Sequence, residues 1–214
     1  MTDKIQSGKA KEAAAMFWDQ VSGLYDLFET VYNRRVYQGL GKRIAGQIEP
    51  DNLVLECACG TGAISRCIAP KCKQLIATDF SVGMLRQTLK NCRHYDNIKV
   101  RRADITHLKC RDNRFDVVIA GNVIHLLEAP LAAVKELERV CKPGGKIMIP
   151  TYINASAGVN KMAVKLLALA GANFKRQFDM DSYRKFFADA GYEGVTYDIV
   201  SGRMPCAIAM ITKK

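Results

Sequence analysis

The chain has 214 residues, 49% hydrophobic and 25% charged, which fits one globular α/β domain and excludes a disordered or low-complexity chain. The formal charge is +11, but the Lys and Arg residues are spread along the sequence, so charge alone selects no partner. The polar N-terminus MTDKIQSGKAKEAAA lacks a signal peptide's apolar run, and the greasiest stretch, Met162 to Ala172, is too short for a bilayer and contains Lys165, so the expected location is cytoplasmic.

The first fifty residues read as helices. Phe17, Val21, Leu24, Phe28 and Val31 share one helical face by spacing, and Val36, Leu40, Ile44 and Ile48 continue the pattern after a polar break at Asn33-Arg34-Arg35. Strands and helices then alternate. Leu53 to Cys59 predicts a strand ending in a Gly-Thr-Gly turn, and Ala63 to Ala69 a helix stopped by Pro70. Gln74 to Phe80 is the second strand, and Ser81 can cap the helix of Met84, Leu85 and Leu89. Ile98 to Asp104 is the third strand. Phe115 to Val123 is the fourth, apolar enough to be buried on both faces. Leu131, Val134, Leu137 and Cys141 mark a helix that Pro143-Gly144-Gly145 ends, and Lys146 to Tyr152 is the fifth strand. Asp181 to Ala190 is a helix with Gly191 just past its end. Two last strands, Gly194 to Val200 and Cys206 to Thr212, are close enough for a hairpin.

This order predicts an α/β fold. A Rossmann-like, mostly parallel seven-stranded sheet ends in an antiparallel C-terminal hairpin, with helices on both faces and an N-terminal helical lid. One domain spans 1–214: the lid to 50, a cofactor-binding core over 51–152, a substrate lid over 153–180, then the last helix and hairpin. The eight cysteines are expected as reduced thiols, because no secretory signal precedes them. No Cys-x-x-Cys pair exists and Cys57-x-Cys59 has no visible partner set, so no metal is assigned.

Ligands of open α/β sheets bind beyond the carboxyl ends of the strands. The first such end reads Glu56-Cys57-Ala58-Cys59-Gly60-Thr61-Gly62. Glu56 would repel a pyrophosphate, and Ser65 stands where a dinucleotide loop has its third glycine. S-adenosylmethionine carries an α-ammonium and a sulfonium, both cationic, and suits an acid there. Asp79, nineteen residues after Gly60, can accept hydrogen bonds from both ribose hydroxyls. Asp104 can accept one from an exocyclic amine. Asn122 offers a donor and an acceptor to a polar ligand. His125 reads equally as a general base or as a packed residue opening the next helix.

The segments ECACGTG, ATDFS, RADITHL and FDVVIAGNVIHLLEAPLAAVKELERVCKPGGKIMI resemble the successive motifs of class I S-adenosylmethionine-dependent methyltransferases, over about residues 15 to 152. Within that superfamily, FWDQVSGLYDLFE and the closing GYEGVTYDIVSGRMPCAIAMITKK resemble the ubiquinone/menaquinone C-methyltransferase group, which shades into phospholipid and arsenite methyltransferases. The resemblance implies S-adenosylmethionine as cofactor. It places Glu56, Gly60 and Gly62 at the methionine half, Asp79 at the ribose, and Asp104 and Ile105 at the adenine. Cys57, Phe80, Met84 and Val123 join the cofactor-binding set. Asn122 would lie beside the methyl donor, and Tyr25 would close over the cofactor. Tyr25 and His125 are the candidate catalytic residues. The family usually has glycine where Ala58 stands, a mild change for a loop of small residues. VIHLLEA lacks the quinone enzymes' further polar signature.

The implied reaction is in-line methyl transfer to a small hydrophobic acceptor, quinone-like or lipid-like. Thiol or arsenite methylation is the alternative, and a non-catalytic cofactor-binding regulator is the alternative of another class. Nucleic-acid methylation is not expected, because Gly121-Asn122-Val123-Ile124 is no Pro-Pro-Tyr-like turn and the Pro205-Cys206 pair lies in the terminal hairpin. Residues 155–178, apolar with Lys161, Lys165, Lys175 and Arg176 around them, read as a lid over an apolar substrate with peripheral contact to an anionic membrane surface. They read otherwise as a helix packed on the domain.

Overall fold

A computed structural model describes residues 2–27, 31–154 and 175–214. The predicted substrate lid therefore lies mostly outside the described residues. Seven strands form one sheet: β1 (Leu53–Cys57), β2 (Gln74–Asp79), β3 (Ile98–Arg102), β4 (Phe115–Ala120), β5 (Cys141–Tyr152), β6 (Thr196–Val200) and β7 (Cys206–Thr212). Their order is β3-β2-β1-β4-β5-β7-β6. β1 to β5 are parallel, while β7 runs antiparallel to both β5 and β6. The connection Ser201–Pro205 is too short for a crossover, so β6 and β7 must pair as a hairpin. The expected fold class is thus the observed one.

Side chains alternate across the central strands and feed two cores. On one face Leu55, Val118, Ile147 and Ala209 pack under α5 (Pro130–Val140) and α6 (Met180–Asp189) through Val134, Leu137, Tyr183 and Phe187. On the other, Val54, Val117, Met148 and Ile208 meet α2 (Arg34–Ala45) and α3 (Ser65–Ile68) through Leu40, Ile44 and Ile68, and Leu85 of α4 (Val82–Asn91). Asp179 caps α6 in a reciprocal pair with Ser182. Among the described residues no helix is long and apolar enough to cross a membrane.

Four elements depart from the sequence expectation. The fourth strand stops at Ala120 rather than Val123, because Asn122 adopts φ +50° and its backbone N–H turns to Pro150 O at 2.9 Å. The predicted helix over 63–69 is a single turn followed by a 3-10 turn at Ala69–Lys71. Pro143-Gly144-Gly145 lies inside β5, where the pairing with β4 shifts register, instead of separating helix from strand. The outward face of α1 (Thr2–Leu27) is the largest correction. Leu24 is 65% exposed and Val31, just past the helix, 67%. Ala15, Trp18, Ser22 and Tyr25, spaced 3-4-3, face inward instead. The inner face of α1 covers a cavity and not a packed core, so its residues are small or amphipathic.

Candidate active site

β1 leads outward to β2 and β3 on one side, and the chain then returns to place β4 on the other. The carboxyl ends of β1 and β4 thus flank the point where strand order reverses, and a crevice opens there. It is a cavity of about 700 Å³, within the ~300–1,000 Å³ usual for small-molecule sites. Its floor comes from the turns after β1, β2, β3 and β4, and α1 walls it from above.

The turn after β1 is shaped by positive φ at Ala58 (+53°), Gly60 (+57°) and Gly62 (+86°). Gly60 N–H donates to Asp79 Oδ2 at 2.9 Å, and Ser81 N–H donates to Asp79 Oδ1 at 2.9 Å. Asp79 therefore stitches the first turn to the second. Glu56, 1% exposed, accepts from Ser65 Oγ at 2.5 Å. The serine at the position of a dinucleotide loop's third glycine is thus the partner of the acid that would reject a pyrophosphate. At the third turn Asp104 Oδ1 accepts from Thr106 N–H at 2.9 Å and Thr106 Oγ1 at 2.7 Å.

Ala58 is not the mild change expected from sequence. A left-handed backbone costs a residue bearing Cβ about 1–2 kcal/mol, and nothing of the kind is charged to glycine. Ala58→Gly should raise unfolding stability by about 1 kcal/mol, read as a higher urea midpoint at unchanged slope.

Tyr25, Glu56, Gly60, Asp79, Phe80, Met84, Asp104, Ile105, Asn122 and Val123 line this single cavity together. Three of the sequence-selected residues stand behind the wall. Cys57 is fully buried in β1, where burial pushes its thiol up to about 12. Gly62 backs onto α4 at Thr88 and Cys92. His125 is 3% exposed, its Nδ1 is 2.9 Å from Thr151 Oγ1, and burial pushes its imidazole down to about 4, so it is neutral near pH 7.

Other wall residues carried no sequence signal that was used. Trp18, the chain's single tryptophan, and Tyr37 line the cavity. Asp19 fastens α1 down: its Oδ1 accepts from Ser81 Oγ and from Gly83 N–H, the latter at 2.8 Å. Burial acts against the charge, but those two donors hold the carboxyl below its ordinary range. An acid one residue after the lone tryptophan of FWDQ was the available clue.

Charge decides which ligand fits. Among the described residues, Glu56, Asp79, Asp104 and Glu128 line the cavity, against one ammonium, Lys175, which lies 3.5 Å from Glu128. A protein of net charge +11 thus keeps an acidic cavity, suited to a cationic ligand and hostile to phosphates. Burial pushes Asp79 up to about 6, against the backbone N–H groups of Ser81, Gly60 and Phe80 that favour its ionised form. Between the unfolded carboxylate pKa of about 4 and this value the folded chain holds a proton the unfolded chain has lost, so Asp79's contribution to stability falls as pH rises through about 6. Hydroxyl donors from a ligand favour the carboxylate. Affinity for S-adenosylhomocysteine should therefore rise about fivefold from about pH 5 to about pH 6, and about tenfold in all by about pH 7, where it levels off, measured by calorimetric titration.

Residues 55–149 match the family described as a methyltransferase domain. A demethylmenaquinone methyltransferase of Clavibacter sepedonicus is 33% identical over 146 residues, 67% of this chain and 59% of that relative. One from Renibacterium salmoninarum is 29% identical, covering 89% of this chain and 88% of its own length. A ubiquinone/menaquinone biosynthesis C-methyltransferase of Ectopseudomonas mendocina is 26% identical over 94% of this chain and 88% of that one. Among solved structures, an S-adenosylmethionine-dependent methyltransferase of Thermotoga maritima superposes with a TM-score of 0.73 at 18% identity, over 93% of this chain and 99% of that one. The [4+2]-cyclase SpnF does so at 0.68 and 17%, over 91% and 95%.

The chain is an S-adenosylmethionine-dependent methyltransferase, and S-adenosylmethionine is its cofactor. The named relatives that it resembles along most of its length are a demethylmenaquinone methyltransferase and a ubiquinone/menaquinone biosynthesis C-methyltransferase.

Proposed function

We propose that the chain methylates a small hydrophobic acceptor of the quinone type, presented as its hydroquinone, without nucleic acid as substrate. The supporting observation is one cavity, acidic on the side of Glu56, Asp79 and Asp104 and apolar at Phe17, Trp18, Ile64, Leu126 and Leu127, beside relatives named for quinone methylation. In this reading the acidic side takes the cofactor. Glu56 and Gly60 receive its amino-acid end, with Cys57 and Gly62 shaping the turn from behind. Asp79 takes the ribose hydroxyls, and Phe80, Met84, Asp104 and Ile105 hold the adenine. Asn122 and Val123 border the reacting centre, and Tyr25 closes it from α1. His125, neutral and held by Thr151, supports that wall by position.

Bound S-adenosylmethionine supplies a methyl group already activated by its sulfonium, transferred by in-line displacement. The protein's share is proximity, alignment and exclusion of water. Residues 1–214 act as one domain, with 1–50 closing the cofactor side, 51–152 forming the core, 153–180 the acceptor side, and 181–214 completing the sheet. The protein works in the cytoplasm and meets its apolar acceptor at a membrane surface by peripheral contact.

The test is methyl-labelled S-adenosylmethionine with a short-prenyl naphthohydroquinone, followed by organic extraction. Label in the quinone supports the proposal. Label confined to a volatile thiol or arsenical product replaces it, and tight cofactor binding with no transfer to any acceptor class points to a regulator.

A further inference from the structure

Next to Asn122 on the cavity wall, three tyrosines from three different elements bring their hydroxyls together. Tyr25 Oη of α1 lies 3.1 Å from Tyr37 Oη of α2, which lies 2.7 Å from Tyr152 Oη at the end of β5. Asn122 Nδ2 approaches the same Tyr37 oxygen at 3.5 Å, and Asn122 Oδ1 accepts from Cys206 Sγ at 3.3 Å. With Asn122 Oδ1 toward Cys206, the Asn122 NH2 faces Tyr37.

A phenol hydroxyl has one proton to give and two lone pairs. With Asn122 donating to it, Tyr37 gives its proton to one tyrosine and accepts from the other. The chain therefore runs in one direction at a time, Tyr25 to Tyr37 to Tyr152 or the reverse. Toward the cavity, Tyr25 Oη acts as an acceptor in the first direction and as a donor in the second. Tyr25 and Tyr37 line the cavity, and Tyr152 is partly exposed.

We propose that this hydroxyl chain accepts the proton an acceptor loses on methylation, and that the acceptor accordingly carries an ionisable O–H. The inference rests on the function proposed above and adds to it the residues that take the hydroquinone's proton. The acceptor's proton passes to Tyr25 Oη as the proton of Tyr25 passes to Tyr37, that of Tyr37 to Tyr152, and that of Tyr152 to water. The electron pair of the broken O–H bond stays on the acceptor oxygen, where it drives attack from oxygen or, through the ring, from carbon; after carbon attack the hydrogen on the methylated carbon leaves as a proton and one proton returns to the oxygen, which restores the hydroquinone. One proton leaves per methyl transferred, and all three tyrosines end neutral. Tyr25 touches the acceptor. Tyr37 and Tyr152 act through it and are positioning residues.

The test compares wild type and Tyr37→Phe on two acceptors of one shape, a prenylated hydroquinone of ordinary acidity and a fluorinated analogue already ionised at the assay pH. The expected result is a kcat loss of about 100-fold on the first and under about threefold on the second, with KM little changed. A second readout is binding: the absorbance of a nitrophenol titrated into the S-adenosylhomocysteine-loaded protein should report more ionised phenol in wild type than in Tyr37→Phe. Equal losses on both acceptors, with no spectral difference, would overturn the relay and leave quinone methylation standing. Turnover confined to amine or thiol acceptors would overturn both.

Discussion

Asp79→Asn should weaken S-adenosylhomocysteine binding by roughly two to three orders of magnitude while leaving the chain folded. Asp79 holds both turns that floor the cavity, through Gly60 N–H and Ser81 N–H, each at 2.9 Å. Asparagine keeps one acceptor oxygen, so one of those backbone donors meets an NH2 and the turn after β1 or β2 must shift. The ribose hydroxyls lose a charged acceptor at the same time. Hydrogen bonds to charged groups contribute about 1.5–3 kcal/mol each, and two weakened together give about 3–4 kcal/mol in binding. The burial that pushes Asp79 up to about 6 also means that asparagine removes a buried charge, which offsets the lost turn hydrogen bond, so unfolding stability should stay near wild type. Calorimetry gives the first quantity and thermal denaturation the second. Unchanged affinity would remove Asp79 from the cofactor site.

Gly83→Val should unseat the lid. A Cβ at position 83 would stand 2.8 Å from both Cα and O of Asp19 and 3.2 Å from Ser22 Oγ. The first two are backbone atoms, so α1 must move away as a body, taking with it the Asp19 hydrogen bonds to Ser81 and Gly83. Trp18 and Tyr25 then leave the cavity wall. Valine itself fits the first turn of α4, because position 83 has ordinary helical φ and the Ser81 cap on Met84 N–H, at 3.0 Å, is untouched. The expected phenotype is a cooperative unfolding transition close to wild type, rapid proteolysis within α1, and cofactor affinity reduced at least tenfold. Limited digestion with and without S-adenosylhomocysteine reads it directly. An α1 that stays protected in Gly83→Val would show that the lid is held by something other than this contact.

The sheet was legible because its strands carry their own signals. Leu53 to Cys59, Gln74 to Phe80 and Cys206 to Thr212 are apolar runs closed by turn residues, and the structure ends the first two at Cys57 and Asp79 and keeps the third. The three strand-end acids were legible for the same reason, since strand ends point at the crevice. The turn after β4 was not, because a left-handed Asn122 is a backbone choice that composition does not announce. The face of α1 was misread because hydrophobic periodicity assumes that the apolar side is the buried side, and here the inner side covers a cavity. Tyr37 and Tyr152 were missed because their hydroxyls meet across 115 residues of sequence. No local pattern marks a polar contact assembled only by the fold. At Ala58 the cost lies in a φ of +53° and not in side-chain size, and sequence shows only the size.

Fold likeness also reaches a [4+2]-cyclase, so the cavity's own chemistry has to carry the functional reading. Its acids favour a cationic cofactor, and the single tryptophan of the chain stands on its wall as a built-in reporter. The deciding measurement is Trp18 emission during titration with S-adenosylmethionine, S-adenosylhomocysteine and NAD. The account predicts a saturable change with the first two, lost in Asp79→Asn, and none with NAD. Saturation by NAD with no response to S-adenosylmethionine would contradict it.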